Sequence, residues 1–79
     1  MKRIEYKGLT VYIEDVNIES PDVADVTLHV DGRMFRFRGV KQPNGRIQVF
    51  TVIDGGDGLP ASRRHAVRDL AGAILRDRM

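Results

Sequence analysis

The dipeptide Asp31-Gly32 lies between two runs of alternating apolar and polar residues, and it restricts the fold more than any other feature of the sequence. An Asp-Gly pair in this setting is typical of a two-residue type I′ hairpin turn, in which both central residues take positive φ. Because a tight turn sets the register of its strands, we expect Val26 opposite Phe37 and the rings of Phe35 and Phe37 on one apolar face. The other face is then expected to carry Asp25, Thr27, His29, Met34, Arg36 and Arg38.

Further turn signals indicate strands on both sides of this hairpin. The alternation reverses its phase at Lys7-Gly8, which predicts either a hairpin or a sharply bent strand. The cluster Glu19-Ser20-Pro21-Asp22 predicts a turn before a strand that starts near Val23. The sequence therefore predicts a sheet of four or five antiparallel strands over about residues 3–54.

The last strand is expected over residues 46–53, after a two-residue turn at Asn44-Gly45. That register would place Val52 opposite Phe37 and Phe50 opposite Gly39, so we expect a bulge at Gly39-Val40. The strand is apolar on both sides, which predicts a central strand or one covered on both faces.

A single helix is predicted at the end of the chain. A glycine-rich connector over residues 54–60 precedes a helical period over about residues 61–78, with Val67, Leu70, Ala71, Ile74 and the stem of Arg78 on one stripe. We expect this stripe to pack on one face of the sheet. The fold class is therefore α+β, an antiparallel sheet with one C-terminal helix.

The length of the chain, 79 residues, predicts one domain over residues 1–79, because so short a chain cannot divide its core. Cysteine is absent, and no segment approaches the roughly 20 apolar residues that a membrane span needs. We expect a cytoplasmic protein without a signal peptide and without a membrane partner.

No pattern in the sequence indicates catalysis, a cofactor or a metal. The glycine-rich connector lacks the spacing of phosphate-binding and calcium-binding loops. His29 and His65 are the two histidines and Ser20 and Ser62 the two serines, with no spacing that joins a nucleophile to a base. We therefore expect a protein that is not an enzyme and holds no cofactor.

Basic residues are the candidate partner-binding residues. Arg63, Arg64 and Arg68 are expected to form a ridge at the start of the helix, which meets an acidic protein or a nucleic-acid backbone unless Asp57 and neighbouring carboxylates neutralise it. Arg36, Arg38 and Met34 are expected on the face opposite the phenylalanines. Arginine beside apolar side chains is typical of protein interfaces.

Charge is divided unevenly along the chain, although the net charge is only +2. Residues 1–31 carry seven acidic and three basic side chains, whereas residues 32–79 carry four acidic and ten basic ones. Such a division is typical of a surface that meets an oppositely charged partner, unless neighbouring strands mix the two halves.

In size and architecture, over the whole chain, the protein resembles the small phage-encoded inhibitors of bacterial defence known as anti-CRISPR proteins. The resemblance implies a non-enzymatic inhibitor that occupies a protein surface of a CRISPR effector complex. The acidic patches of that surface would be met by Arg36, Arg38, Arg63, Arg64 and Arg68. Two alternatives remain: an accessory domain that binds nucleic-acid phosphates through the same arginines, and a structural subunit that forms a homo-oligomer.

Overall fold

The computed structural model describes residues 1–79 and contains one antiparallel sheet and one helix. The strands are β1 (Lys2–Tyr6), β2 (Leu9–Ser20), β3 (Val23–Val30), β4 (Arg33–Lys41) and β5 (Ile47–Ile53), and the helix is α1 (Ala61–Arg78). The strands lie in chain order, so β1 and β5 form the two edges of the sheet. The predicted α+β fold, with an antiparallel sheet and one C-terminal helix, is confirmed.

Two hairpin turns have the backbone conformation that the sequence predicts. Asp31 and Gly32 have φ values of 51° and 73°, and the register runs without interruption from Val30 opposite Arg33 to Val23 opposite Val40. At the earlier phase change, Lys7 and Gly8 have φ values of 48° and 79°, so this turn is a hairpin and not a bent strand. Positive φ at both central residues defines the type I′ turn.

The turn between β4 and β5 differs from the prediction. Gly45 N–H donates to Gln42 O at 2.9 Å and Gln42 N–H donates to Arg46 O at 2.7 Å, so the loop contains three residues rather than two. The extra residue shifts the register by one position, placing Gly39 opposite Val49 and Arg38 opposite Phe50. The predicted bulge at Gly39-Val40 is therefore wrong. The irregularity in the pairing of β4 with β5 lies instead between Arg36 and Phe37, nearer the start of β4.

The core forms between α1 and one face of the sheet. Phe35 and Phe37 point into it, with ring centroids 6.2 Å apart and the ring planes 3° from parallel. Of the predicted helical stripe, Ile74 is only half-buried and Arg78 is exposed, whereas Leu75 is fully buried although the prediction did not include it. The core residues are Leu9, Val11, Ala24, Val26, Leu28, Val30, Phe35, Phe37, Ala66, Val67, Leu70, Ala71 and Leu75.

Strand β5 is an edge strand, so the prediction of a central or doubly covered strand is wrong. None of its residues is buried. Ile47 and Val49 pack against the core, whereas Phe50 and Val52 are exposed. The apolar residues on the two sides of β5 therefore reflect a contact with the core on one side and an exposed apolar surface on the other.

Helix α1 does not combine the length and the apolar character that a membrane span requires.

Candidate functional site

The face of the sheet opposite α1 is not covered by any other element, and we call it the open face. Cross-strand pairs place His29 beside Tyr12 and Met34, and Arg38 beside Asp25 and Phe50. The side chains that define the open face are Tyr12, Glu14, Asp15, Asn17, Glu19, Asp25, Thr27, His29, Met34, Arg36, Arg38, Phe50 and Ile53, with Val52 at the irregularity of the register before Ile53.

Arg38 forms the polar centre of the open face by bridging two carboxylates. Its Nε donates to Asp25 Oδ1 at 2.8 Å, and its Nη2 donates to Asp25 Oδ2 at 3.0 Å and to Glu19 Oε1 at 3.1 Å. The hydrogen bond from Arg38 lowers the pKa of Asp25, against the opposing effect of burial, and the same bond raises the pKa of Arg38. The guanidinium is thereby fixed in position, and much of its charge is offset.

Arg36 and His29 are also held by neighbouring side chains. Arg36 Nε donates to Thr27 Oγ1 at 3.0 Å, and Thr27 is only 2% exposed although it lies on the open face. His29 Nε2 lies 2.7 Å from Glu14 Oε1. These contacts order the polar side chains of the open face in the absence of a partner, which reduces the entropy lost on binding.

Large apolar side chains are exposed around this polar centre. The exposed fractions are 41% for Tyr12, 37% for Met34, 45% for Phe50 and 51% for Val52. An aromatic and aliphatic surface with ordered arginines has the composition of a protein-binding surface, because aromatic residues, Met and Arg are enriched in interfaces.

The three helix arginines lie on the other side of the sheet and do not join Arg36, Arg38 and Met34. Arg63 Nη1 lies 3.6 Å from Asp31 Oδ2, and Arg64 Nη2 lies 2.7 Å from Asp54 Oδ2. Arg68 donates from Nη2 to Val49 O at 2.7 Å and from Nη1 to Thr51 Oγ1 at 3.2 Å. The structure therefore divides the predicted partner-binding residues between two surfaces.

Of the carboxylates expected to neutralise the helix arginines, a neighbour of Asp57 does so and Asp57 itself does not. Asp31 and Asp54 pair with the helix arginines, whereas Asp57 accepts a hydrogen bond through its backbone oxygen from Arg33. Asp54 Oδ1 also accepts from Gly56 N–H at 2.8 Å. This amide of the glycine-rich connector is thus already bound to a carboxylate.

Ion pairs join the acidic first part of the chain to its basic second part. Arg38 pairs with Glu19 and Asp25, and Arg63 pairs with Asp31. Folding therefore mixes the two charges that are separated in the sequence, because it brings acidic residues of the first part next to arginines of the second.

The side chains that catalysis or a metal would use are dispersed. His29 forms its side-chain hydrogen bond with Glu14, and the Ser20 hydroxyl accepts from Asp22 N–H at 3.2 Å. No group of three or more His, Cys, Asp or Glu side chains is placed to hold a metal ion.

Sequence reasoning missed Tyr12, Phe50 and Val52 as candidate binding residues. The signal for Phe50 and Val52 was present in β5, whose apolar residues on both sides were attributed to burial. An uncovered strand with the same pattern exposes an apolar surface instead, and such surfaces are typical of interaction sites.

The chain matched no family model, no curated protein and no solved structure when it was compared with them. No residue role is transferred from a relative, and the function is inferred from the surfaces themselves.

Proposed function

We propose that this chain is a non-enzymatic protein-binding module that uses its open face to occupy the surface of a partner protein. The observation that carries the proposal is the exposure of Tyr12, Met34, Phe50 and Val52 on a sheet face that no helix covers. Burying such side chains supplies most of the binding free energy in protein interfaces.

The arginines of the open face favour a protein partner over nucleic acid. Nucleic-acid binding depends on Lys and Arg side chains that neutralise phosphates and so release the cations condensed on the nucleic acid. Arg38 is already paired with Asp25 and Glu19, so its charge is largely offset. Arg36, hydrogen-bonded to Thr27, remains as a planar donor beside apolar groups.

Within this class, we propose an inhibitor that blocks a CRISPR effector complex in the cytoplasm. The support is the resemblance in size and architecture to anti-CRISPR proteins. The open face, with Arg36, Arg38 and Met34, is the contact surface in this proposal. Arg63, Arg64 and Arg68 belong to a second surface, because the sheet separates them from the open face.

The test measures both binding and inhibition. The purified chain is added to purified CRISPR effector complexes of different types, and DNA cleavage and complex formation are followed. We expect inhibition of one type, and at least about tenfold weaker binding for the variants Phe50→Ser and Met34→Ser. The matched control is Ile18→Ser, which alters an apolar side chain that is 51% exposed and lies outside the open face.

Two results would contradict these proposals. Absence of inhibition of every effector type would refute the CRISPR proposal. Binding that is unchanged in Phe50→Ser and Met34→Ser, or that goes to DNA with a steep salt dependence, would refute the open face as a protein-binding surface. A concentration-dependent homo-oligomer that these two substitutions dissociate would instead support the structural-subunit alternative.

A further inference from the structure

The two edge strands of the sheet differ in how they are protected. The five residues of β1 include Lys2, Arg3 and Glu5, whereas the seven residues of β5 include no charged residue, no proline and no glycine. Natural sheets usually protect an edge with charges, proline or a covering element, because an uncharged edge is a template for another strand. Strand β5 is therefore the edge that is suited to pairing.

The backbone groups that β5 offers follow from its register with β4. Gln42 N–H donates to Arg46 O, and hydrogen-bonded pairs alternate with non-hydrogen-bonded pairs along an antiparallel ladder. The pairs of β5 residues 47, 49 and 51 with β4 are therefore non-hydrogen-bonded. The N–H and C=O groups of Ile47, Val49 and Thr51 consequently point away from β4. The hydrogen bond from Arg68 Nη2 to Val49 O, at 2.7 Å, agrees with this direction.

Arginines of α1 lie along this edge. Arg64 pairs with Asp54, directly after the end of β5, and Arg68 contacts Val49 and Thr51 in its middle. Arg76, two turns after Arg68, lies near the start of β5. The helix side of the β5 edge therefore carries the positive charges of Arg68 and Arg76 from its middle to its start, whereas Arg64 at its end is paired with Asp54.

The start of β5 borders an open cleft of about 620 Å³. The cleft is lined by Lys41, Gly45, Arg46, Ile47, Arg76 and Met79, so it contains three cationic side chains and no acidic one. The ion pairs of the structure do not include Arg46 or Arg76. Lys41 Nζ donates to Met79 O at 3.2 Å, so a partner with carboxylates would supply the opposite charge to Arg46 and Arg76.

We propose that β5 accepts an extended acidic segment of a partner protein as a sixth strand of the sheet. Its backbone would pair with Ile47, Val49 and Thr51, as in other cases of strand addition. Because side chains alternate across a strand, carboxylates at every second position would face Arg68 and Arg76, and apolar side chains between them would lie beside Phe50. This proposal concerns the strand edge and goes beyond the open-face function.

The same charges argue against a second copy of this chain as the occupant. Pairing of β5 with its own copy would bring two sets of helix arginines toward a shared edge, and like charges at close range repel. With an acidic segment, Arg68 exchanges a bond to a neutral carbonyl for an ion pair with a carboxylate, which brings two opposite charges together.

The test uses a short capped peptide that alternates glutamate with valine, and hydrogen exchange of the intact protein followed by NMR. In the free protein, the amides of Val49 and Thr51 should exchange faster than those of Gln48 and Phe50. The peptide should protect the amides of Val49 and Thr51 and leave the other two unchanged. A peptide with lysine in place of glutamate should bind at least about tenfold more weakly, because it meets the arginines with like charge.

Protein variants separate the backbone contribution from the charge contribution. Val49→Pro removes an outward N–H that forms no bond to β4, and Arg76→Ala removes an unpaired charge; each should weaken peptide binding about tenfold. If Val49→Pro does not fold, Thr51→Pro removes another outward N–H of β5 and replaces it in the experiment. The control Arg78→Ala removes a charge in the same helical turn outside the cleft and should bind the peptide normally.

Several results would overturn the proposal. These are absence of protection at Val49 and Thr51, equal binding of the glutamate and lysine peptides, or normal peptide binding by both Val49→Pro and Arg76→Ala. Stronger binding of a single-stranded oligonucleotide than of the peptide, or a dimer of the free protein that Val49→Pro dissociates, would also overturn it. Loss of open-face binding in Phe50→Ser with normal peptide binding would leave the strand-addition proposal intact.

Discussion

Arg38 and Asp25 lie directly opposite each other on β4 and β3, and the guanidinium binds both oxygens of the carboxylate, at 2.8 and 3.0 Å. The Asp25 side chain is only 12% exposed, so the pair sits in the surface of the sheet rather than above it. This arrangement explains why a row of arginines in the sequence does not give a strongly positive face. The open face presents an ordered polar centre with exposed apolar side chains around it.

The variant Asp25→Asn should lower the free energy of unfolding by about 1 kcal/mol at neutral pH, the upper value for ion pairs that keep contact with solvent. Arg38 lowers the pKa of Asp25 in the folded state below its ordinary value of 3.8. The stabilisation is therefore complete above about pH 4 and is lost as the pH falls through the folded-state pKa. Urea denaturation at neutral pH and at about pH 2 should show a difference in the free energy of unfolding between wild type and variant that becomes smaller in acid.

Asp15→Asn is the control for this experiment, because Asp15 lies on β2 without an ion pair. Its effect should be small at both pH values. A stability difference for Asp25→Asn that persists unchanged in acid would contradict the assigned ion pair. Charge reversal in Arg38→Glu is a poor binding test, since it would place three carboxylates together and destabilise the sheet.

The variant Leu75→Ala should destabilise the protein by about 2–5 kcal/mol, because Leu75 is fully buried between α1 and the sheet and its truncation leaves a cavity. Thermal and urea unfolding measure this change. The control Ile18→Ala removes an aliphatic side chain that is 51% exposed, and its effect should stay within about 0.5 kcal/mol. Similar losses in the two variants would contradict the placement of Leu75 in the core.

The variant Gly55→Ala should destabilise the protein by about 1–3 kcal/mol through steric overlap with β4. A β-carbon at Gly55 would lie 3.0 Å from the backbone nitrogen of Met34 and still closer to its carbonyl oxygen. The control Gly45→Ala meets no atom within 4 Å and only places alanine at a φ of 85°, which costs about 1 kcal/mol. A smaller loss of thermal stability in Gly55→Ala than in Gly45→Ala would contradict the close approach of this loop to Met34.

Much of the fold could be predicted because its information is local. Asp31-Gly32 suits a turn with two positive φ values, and that turn alone sets the register that turns Phe35 and Phe37 toward the core. The helical period likewise identifies Val67, Leu70 and Ala71 as buried.

The register of β5 was mispredicted because Asn44-Gly45 is compatible with two turns. The residue before it decides between them, since Pro43 lacks an N–H and its fixed φ suits the second position of a type I turn. The turn therefore begins at Gln42, and the three-residue loop between Gln42 and Arg46 starts with Pro43 and ends with Gly45 at a φ of 85°. This one-residue difference places Val49 and not Phe50 opposite Gly39.

The candidate sites were harder to predict, because they depend on contacts between distant parts of the chain. The alternation in β4 correctly places Arg36 and Arg38 on one face, but no sequence pattern specifies that α1 carries Arg63, Arg64 and Arg68 to the other side of the sheet. The partner Asp31 also lies far from Arg63 in sequence, whereas Asp54 is one of the carboxylates near Asp57 that were expected to pair with the helix arginines.

Arg68 protects the β5 edge in the free protein, and its removal should promote self-association. It is the one side chain that bonds an outward carbonyl of β5, at Val49, and it places a positive charge beside an uncharged apolar strand. Arg68→Ala should therefore increase light scattering as concentration rises, while the free energy of unfolding changes by no more than about 0.5 kcal/mol. The matched control is Arg63→Ala, which removes the same charge from the same helix but beside Asp31, away from β5. Equal scattering by the two variants would show that Arg68 does not protect this edge, whereas scattering specific to Arg68→Ala that Val49→Pro suppresses would identify β5 as the pairing strand.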